Sequence, residues 1–539
     1  MALTTLNAIP FSLRSVITLI LLFHFSSTSV ESLSSSSFTH SKLRSGMQAA
    51  SRSVNSSIIY KTIQVAQKVR STALQQIAQA DKGFNNASAA ISDCVDLLDD
   101  SIDHLYSIAA TQNLYGGVKS SPSCNRNINA CSALSAILAN QETCMEGLLD
   151  YYMDNKNNNI AKKTLRAGID QLNPLLSQMI LMAANDHLSG QLRTIAAEDD
   201  PSWAAELENY NNKNFVNNVS EQLSVANSKV TVALDGSGDY RSIAAAVDAA
   251  PSNSNKKFFI HVKRGVYHEY VVIPTSKRNV VMMGDGIGAT VIRGSRNHRR
   301  DRINTFRTAT FAVAGCGFMA KNITFENTAG PTGDQAVALL ANANNLVFYG
   351  CAFKGYQDTL YAKSGLQFYR ECEIHGTIDF IFGDAAAVFQ KCQIIVRKPL
   401  PSQYNTVTAQ GRTLACSATG YSFHDCSFTA EDDLPASTRT YLGRPWEPYS
   451  RTVVMKSRLG PLIHPSGWSP WNDKMRCLDT LYYGEYDNSG VGSDVKGRVK
   501  WPGFHPRMSR KKADKFTVGK FILGDKWLPS TGVIYDPDL

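Results

Sequence analysis

The sequence predicts two regions of different class, an N-terminal all-α four-helix bundle followed by an all-β parallel β-helix. Three observations carry this reading. Residues 44–190 set apolar side chains at three- and four-residue spacings. After Val230 short β-branched and aromatic runs are separated by Gly, Asn and Asp. Inside that second region a unit of aromatic residues and one cysteine recurs, its cysteines 21, 20 and 34 residues apart. A chain of 539 residues is also too long for one ordinary core.

Residues 1–30 are set apart from the fold. Arg14, the apolar run Val16–Phe23 and the small residues Ser26-Ser27-Thr28-Ser29 make the pattern of a cleaved signal peptide. The run is roughly half the ~20 apolar residues a spanning helix needs, although an uncleaved anchor is the alternative. The mature protein is therefore expected to be secreted and soluble. Secretion permits disulfides among the eleven cysteines, and their wide spacing is unlike a zinc site. The odd total leaves at least one thiol unpaired within a chain. Sequons at Asn55, Asn86, Asn218 and Asn322 fit the same route.

Within 44–190, breaks near Asp81-Lys82-Gly83, Tyr115-Gly116-Gly117 and Asp154-Asn155-Lys156-Asn157 divide the helical pattern into four. Short connections between long amphipathic helices imply an up-down bundle. Cys94 and Cys144 fall in the second and third helices, where one disulfide could join them. Residues 191–227 are polar and aperiodic and read as a linker, and 228–539 form the β region.

Charge divides along the same boundary. From Ser228 onward there are 39 Lys and Arg against 27 Asp and Glu, a net of +12, while the rest of the chain sums to −3. A basic β region suits a polyanion, either an acidic polysaccharide or a nucleic acid. Arg293, Arg296, Arg299, Arg300 and Arg302 make its densest basic stretch, which is ordinarily just a solvated loop.

The repeat units are Phe348-Tyr349-Gly350-Cys351, Phe368-Tyr369-Arg370-Glu371-Cys372, Phe389-Gln390-Lys391-Cys392 and Phe423-His424-Asp425-Cys426. Such a period with short strands marks a solenoid whose coils stack, aromatics and cysteines inward. Asp358 and Asp379 lie 21 residues apart, one period. Residues one coil apart sit on neighbouring strands about 4.8 Å apart, so both carboxylates should emerge side by side. One pKa then rises and the other stays low, giving a proton donor beside a charged nucleophile. Gln357 and, near one coil earlier, Gln335 are neutral donors suited to a developing oxyanion. Arg444 can fork onto a carboxylate. Trp446 offers a flat face for a sugar ring, or a place in the core. Two carboxylates alone do not decide between an ester hydrolase and a glycosidase.

The segments Gly355-Tyr356-Gln357-Asp358-Thr359-Leu360-Tyr361, Gly376-Thr377-Ile378-Asp379-Phe380-Ile381-Phe382-Gly383 and Leu442-Gly443-Arg444-Pro445-Trp446 resemble the signatures of plant pectin methylesterases. So do Gly265-Val266-Tyr267-His268-Glu269 and Gln335-Ala336-Val337-Ala338-Leu339. The helical region is similar to the inhibitor-like pro-region of that family, through Ser132–Leu138 and Gln141-Glu142-Thr143-Cys144.

The resemblance implies a right-handed parallel β-helix and cofactor-free, metal-free hydrolysis of galacturonate methyl esters in the cell wall. Asp379 would be the nucleophile, Asp358 the acid and then the base, and Gln357 and Gln335 the oxyanion donors. Arg444 would orient Asp379 and contact substrate, as would Trp446 and Thr305, the latter in Thr305-Phe306-Arg307-Thr308. The implied partner is methylesterified homogalacturonan, with no nucleic acid and no membrane once the signal is removed. The helical region would act on its own or other pectinesterase catalytic domains. A polygalacturonase-like glycosidase and a non-catalytic inhibitor are the competing readings.

The chain also departs from the family pattern. Asp384 stands where many members carry Asn, and pointed at the pair it would raise both pKa values. The linker lacks the dibasic site at which many relatives are processed, with Arg193 standing alone. Cys124 and Cys131 either replace the family's early cysteine pair or close a loop. A Cys392–Cys426 disulfide is implied by the resemblance.

Overall fold

The computed structural model describes residues 40–80, 85–111, 130–154, 159–197, 229–472 and 477–539. They fall into a helical unit and a β unit. The signal-peptide segment, most of the linker and Cys124 lie outside them, and among the four sequons only the Asn322 side chain is described. Among the described residues no helix is long and apolar enough to cross a membrane.

The helical unit comprises α1 (His40–Ala80), α2 (Asn85–Thr111), α3 (Ala130–Asp154) and α4 (Asn159–Ala197). Their spacing pattern becomes a shared core: Ile59, Ile63 and Val69 of α1, Ile91, Leu98 and Leu105 of α2, Leu134 and Leu148 of α3, and Leu165, Ile169 and Leu176 of α4 are buried. Cys94 and Cys144 are joined, Cα to Cα 4.7 Å, so α2 is stapled to α3 as the spacing suggested. Cys131 is disulfide-bonded as well. Helix α4 runs on to Ala197, into the stretch read as linker, since Leu188, Leu192 and Ile195 keep a three- to four-residue spacing there.

The β unit is a right-handed parallel β-helix. Three parallel sheets of eleven, seven and eight strands run along it among the described residues. Each coil supplies one strand to each sheet, so a period near 21 residues becomes a stack of rungs. Phe348, Tyr369, Phe389 and Phe423 pair in register and stack at 5.0, 4.7 and 4.6 Å between centroids. In the second unit the inward place belongs to Tyr369, not Phe368. It is Tyr369 that stands three residues before its cysteine, the offset of the other three aromatics. Phe368 faces the opposite way and packs among Val518, Ile522 and Trp527 of the C-terminal segment.

The inward cysteines correct a further expectation. Cys351, Cys372, Cys392 and Cys426 are buried free thiols, and no disulfide joins Cys392 to Cys426. Cys426 Sγ donates to the Phe389 carbonyl at 3.2 Å and Cys392 Sγ to that of Tyr369 at 3.5 Å, each reaching back one coil. Cys372 Sγ does the same to the Phe348 carbonyl at 3.3 Å, so the regular rise of the rungs repeats one main-chain contact over three levels.

The seven-stranded sheet positions the site. Its strands in chain order are β1 (Val271–Ile273), β2 (Phe311–Val313), β3 (Leu339–Asn342), β4 (Leu360–Ser364), β5 (Ile381–Gly383), β6 (Asn405–Gln410) and β7 (Thr440–Gly443), each beside the next.

Candidate active site

Asp358 and Asp379 end the turns that lead into β4 and β5. Leu360 pairs with Ile381, so the two aspartates occupy equivalent places on adjacent coils, as their spacing predicts. The turns stack through the main chain: Ala336 N–H donates to the Gln357 carbonyl at 3.2 Å and Asp358 N–H to that of Ile378 at 3.0 Å. Both aspartates adopt left-handed backbone, φ 62° and 51°. Asp tolerates this conformation better than most residues, and the bend turns the side chain out of the strand direction. Gly376 is required beside it, because a Cβ there would meet the Phe380 Cβ at 2.2 Å.

Arg444 and Thr406 clamp Asp379. Arg444 Nε donates to Oδ1 at 2.8 Å and Nη2 to Oδ2 at 2.6 Å. Thr406 Oγ1 donates to Oδ1 at 2.6 Å while accepting the Asp379 N–H at 2.9 Å. Burial works against the Arg444 charge, and its bonds to Asp379 outweigh that and raise its pKa. The guanidinium also lies 4.3 Å from the Trp471 ring. Asp379 is 5% exposed and Asp358 8% exposed. Burial, then the neighbouring Asp379 charge, pushes the Asp358 carboxyl well above the usual carboxylate range, and Arg444 only partly opposes this. One carboxylate is thus held in a fixed orientation by a cation, and its neighbour is held toward the neutral acid.

Gln357 precedes Asp358 and is half-buried, and Gln335 is half-buried on the coil before. Trp446 is 37% exposed, with Phe382 6.1 Å away and Gly411 so close that a Cβ there would stand 2.9 Å from its ring. Thr305 opens a short 3-10 turn, Thr305–Thr308, tied to the segment leading into β3 by the Val337 N–H donating to Thr308 Oγ1 at 2.9 Å. Asp384 does not point at the pair. It accepts from Gln410 Nε2 at 3.2 Å and from Thr419 Oγ1. It lies near two buried guanidiniums, Arg412, lowered to about 9, and Arg451, lowered to about 10 by burial. Its charge serves that cluster.

Sequence reasoning missed Thr406 because the coil from β5 to β6 is longer: Ile381 pairs with Thr408, 27 residues on. It also missed an outward ladder in which Ala312, Leu340, Tyr361, Phe382 and Ala409 are in register. Tyr361 and Phe382 stack at 4.2 Å, and Phe306 and Trp471 pack against the same cluster. The unbroken apolar runs Leu360-Tyr361-Ala362 and Ile381-Phe382, too long for one inward face, were its signal.

Comparison with known proteins decides the family. Residues 229–525 match the family model described as Pectinesterase, and residues 24–184 match that of the plant invertase/pectin methylesterase inhibitor. The chain belongs to the pectinesterase family. It is 42% identical over 528 residues to the pectinesterase/pectinesterase inhibitor PPE8B of Prunus persica, covering 97% of this chain and 96% of that one. It is 43% identical over 451 residues to pectinesterase 1 of Solanum lycopersicum, covering 83% and 78%. Among solved structures, pectin methylesterase from carrot is 47% identical with a TM-score of 0.56, covering 57% of this chain and 98% of that one. This pectinesterase is a carboxylic ester hydrolase with an inhibitor-like helical domain ahead of its β-helix.

Proposed function

We propose that the β-helix hydrolyses methyl esters of polygalacturonate to free carboxylate and methanol, with Asp379 as nucleophile and Asp358 as acid and then base. The observation that carries this is the two-point lock of Arg444 on Asp379 beside the buried, proton-holding Asp358. Clamped in one orientation, a charged Asp379 oxygen attacks the ester carbonyl carbon. The Gln357 and Gln335 amides donate to the oxyanion that forms, without competing for its proton. As the carbon–methoxy bond breaks, Asp358 gives its proton to the departing oxygen and methanol leaves. The sugar is then held to Asp379 as an acyl-enzyme. Asp358, now a carboxylate, takes a proton from water, whose oxygen attacks the acyl carbon and frees Asp379. Trp446 and Thr305 hold the sugar chain alongside.

The wider organisation belongs to the same reading. Residues 1–30 are the signal peptide, 44–190 the inhibitor-like pro-region, 191–227 the linker and 228–539 the catalytic region. The protein is secreted to the cell wall, and its helical domain acts on pectinesterase catalytic domains, its own or others. Incubation with methylated pectin tests the reaction: methanol without new reducing ends supports it, and reducing ends without methanol would favour a glycosidase.

A further inference from the structure

Arg397 takes no part in the proposed reaction, yet it touches three consecutive coils around the reacting pair. It follows the strand Gln393–Val396, which pairs with Glu373–Gly376 so that Val396 stands beside Gly376. Its N–H donates to the Gly376 carbonyl at 2.8 Å, at the start of the turn that ends in Asp379. Its carbonyl accepts from Asn405 Nδ2 at 3.2 Å, and Asn405 adjoins Thr406, which bonds Asp379. The side chain reaches back past that coil to the one before. Nη1 donates to the Gly355 carbonyl at 3.1 Å, and the guanidinium lies 4.0 Å over the Tyr356 ring. Gly355 and Tyr356 open the turn that carries Gln357 and Asp358.

The guanidinium is itself held in place. Glu431, one coil further on, accepts from Arg397 Nε at 3.1 Å, and its other oxygen lies 2.9 Å from His375 Nδ1. Burial works against the Glu431 charge, and His375 and Arg397 outweigh it and lower its pKa. On the inner side, the Tyr356 carbonyl accepts the Thr377 N–H at 2.9 Å and Thr359 Oγ1 at 3.2 Å. The Asp358 and Asp379 turns therefore meet at the residue whose ring the guanidinium covers.

We propose that Arg397 is a positioning residue: it clasps the Asp358 turn to the Asp379 turn, so that the Gln357 amide and the Asp358 proton converge on the ester that Asp379 attacks. The proposal rests on the function argued above. In that reaction groups from two coils must meet at one carbonyl, and misplacement by about 1 Å costs on the order of 100-fold in rate. The strand ladder fixes the two coils only from Leu360 and Ile381 onward. Gln357 and Asp358 stand before it, on a turn with left-handed backbone, and Arg397 grips the entrance of that turn. A planar guanidinium can stack on a ring while donating within its own plane, which a lysine ammonium cannot.

The test is methanol release from methylated pectin by the full chain and by its Arg397→Gln and Arg397→Lys variants, read as kcat, KM and the pH profile of kcat/KM. Arg397→Gln should lower kcat about tenfold or more, with KM within about twofold of the wild type. Arg397→Lys can still pair with Glu431 and should recover part of the loss. Burial and the Asp379 charge raise the Asp358 pKa, and both depend on the turn being held. The descending limb of the Arg397→Gln profile should therefore move to lower pH, whereas loss of a nearby positive charge alone would move it higher. Tyr356→Leu, which removes the ring and leaves the arginine, should shift the limb in the same direction. An unchanged kcat, a change confined to KM, or a limb that stays or moves to higher pH overturns the proposal. Should Arg397→Gln fail to fold, an unchanged limb in Tyr356→Leu overturns it instead. A wild type that released no methanol would mark failure of the proposed function itself.

Discussion

Arg444 and Asp379, 65 residues apart in sequence, meet through two hydrogen bonds of 2.8 and 2.6 Å, and Thr406 closes the same carboxylate from a third side. The proposed nucleophile is therefore oriented by groups from two later coils. Arg444→Lys supplies one point charge in place of a planar fork, and kcat should fall about 100-fold with KM little changed. Thr406→Val should cost about tenfold in kcat. Steady-state methanol assays on both variants check the order of the two losses.

The pH dependence follows from Asp358. Its pKa is raised, so it keeps its proton above the usual carboxylate range, and in the proposed mechanism the first step fails once it ionises. The descending limb of kcat/KM should report that ionisation. Arg444 lowers the Asp358 pKa, so its removal in Arg444→Gln should move the limb to higher pH. The stability sign is also fixed. Between the ordinary Asp pKa and the raised folded one, the native state binds more protons, so unfolding free energy falls as pH rises through that window. Asp358→Asn removes this loss, and its Tm should exceed the wild type by about 2 °C or more at alkaline pH, read by thermal denaturation.

The cysteine ladder makes a chemical prediction. Alkylation in denaturant without reductant, followed by mass spectrometry, should label Cys351, Cys372, Cys392 and Cys426 and leave Cys94 and Cys144 unlabelled. Peptides containing Cys392 linked to Cys426 would contradict the ladder of thiols.

Gly443, which precedes Arg444, has no room for a side chain, since a Cβ would stand 2.0 Å from Thr408 Oγ1. Gly443→Ala should destabilise the β unit by about 2 kcal/mol and reduce kcat by displacing the Arg444 fork. Chemical denaturation followed with the methanol assay separates the two effects.

How far the sequence could be read depended on whether coils kept their length. The pair Asp358 and Asp379 was legible because 21 residues separate them on two coils of equal size, and β4 and β5 are in register where that number requires. Thr406 was not legible, because its coil is longer and the offset becomes 27. In the second repeat two aromatics stand side by side, and only the distance to Cys372 marks Tyr369 as the inward one. The Asp384 departure was visible, but its direction was not. Its partners Gln410, Thr419 and the Arg412–Arg451 pair are brought to it by later coils. In the helical unit, apolar spacing gave four helices and a shared core, while the end of α4 continued past the last strongly apolar stretch.

The central claim, that a locked Asp379 attacks the ester, is tested most directly by Asp379→Ala in the full chain. Methanol release should fall by about 10⁴-fold or more with the folded structure retained by circular dichroism. A variant that folds and releases methanol at the wild-type rate would contradict the account.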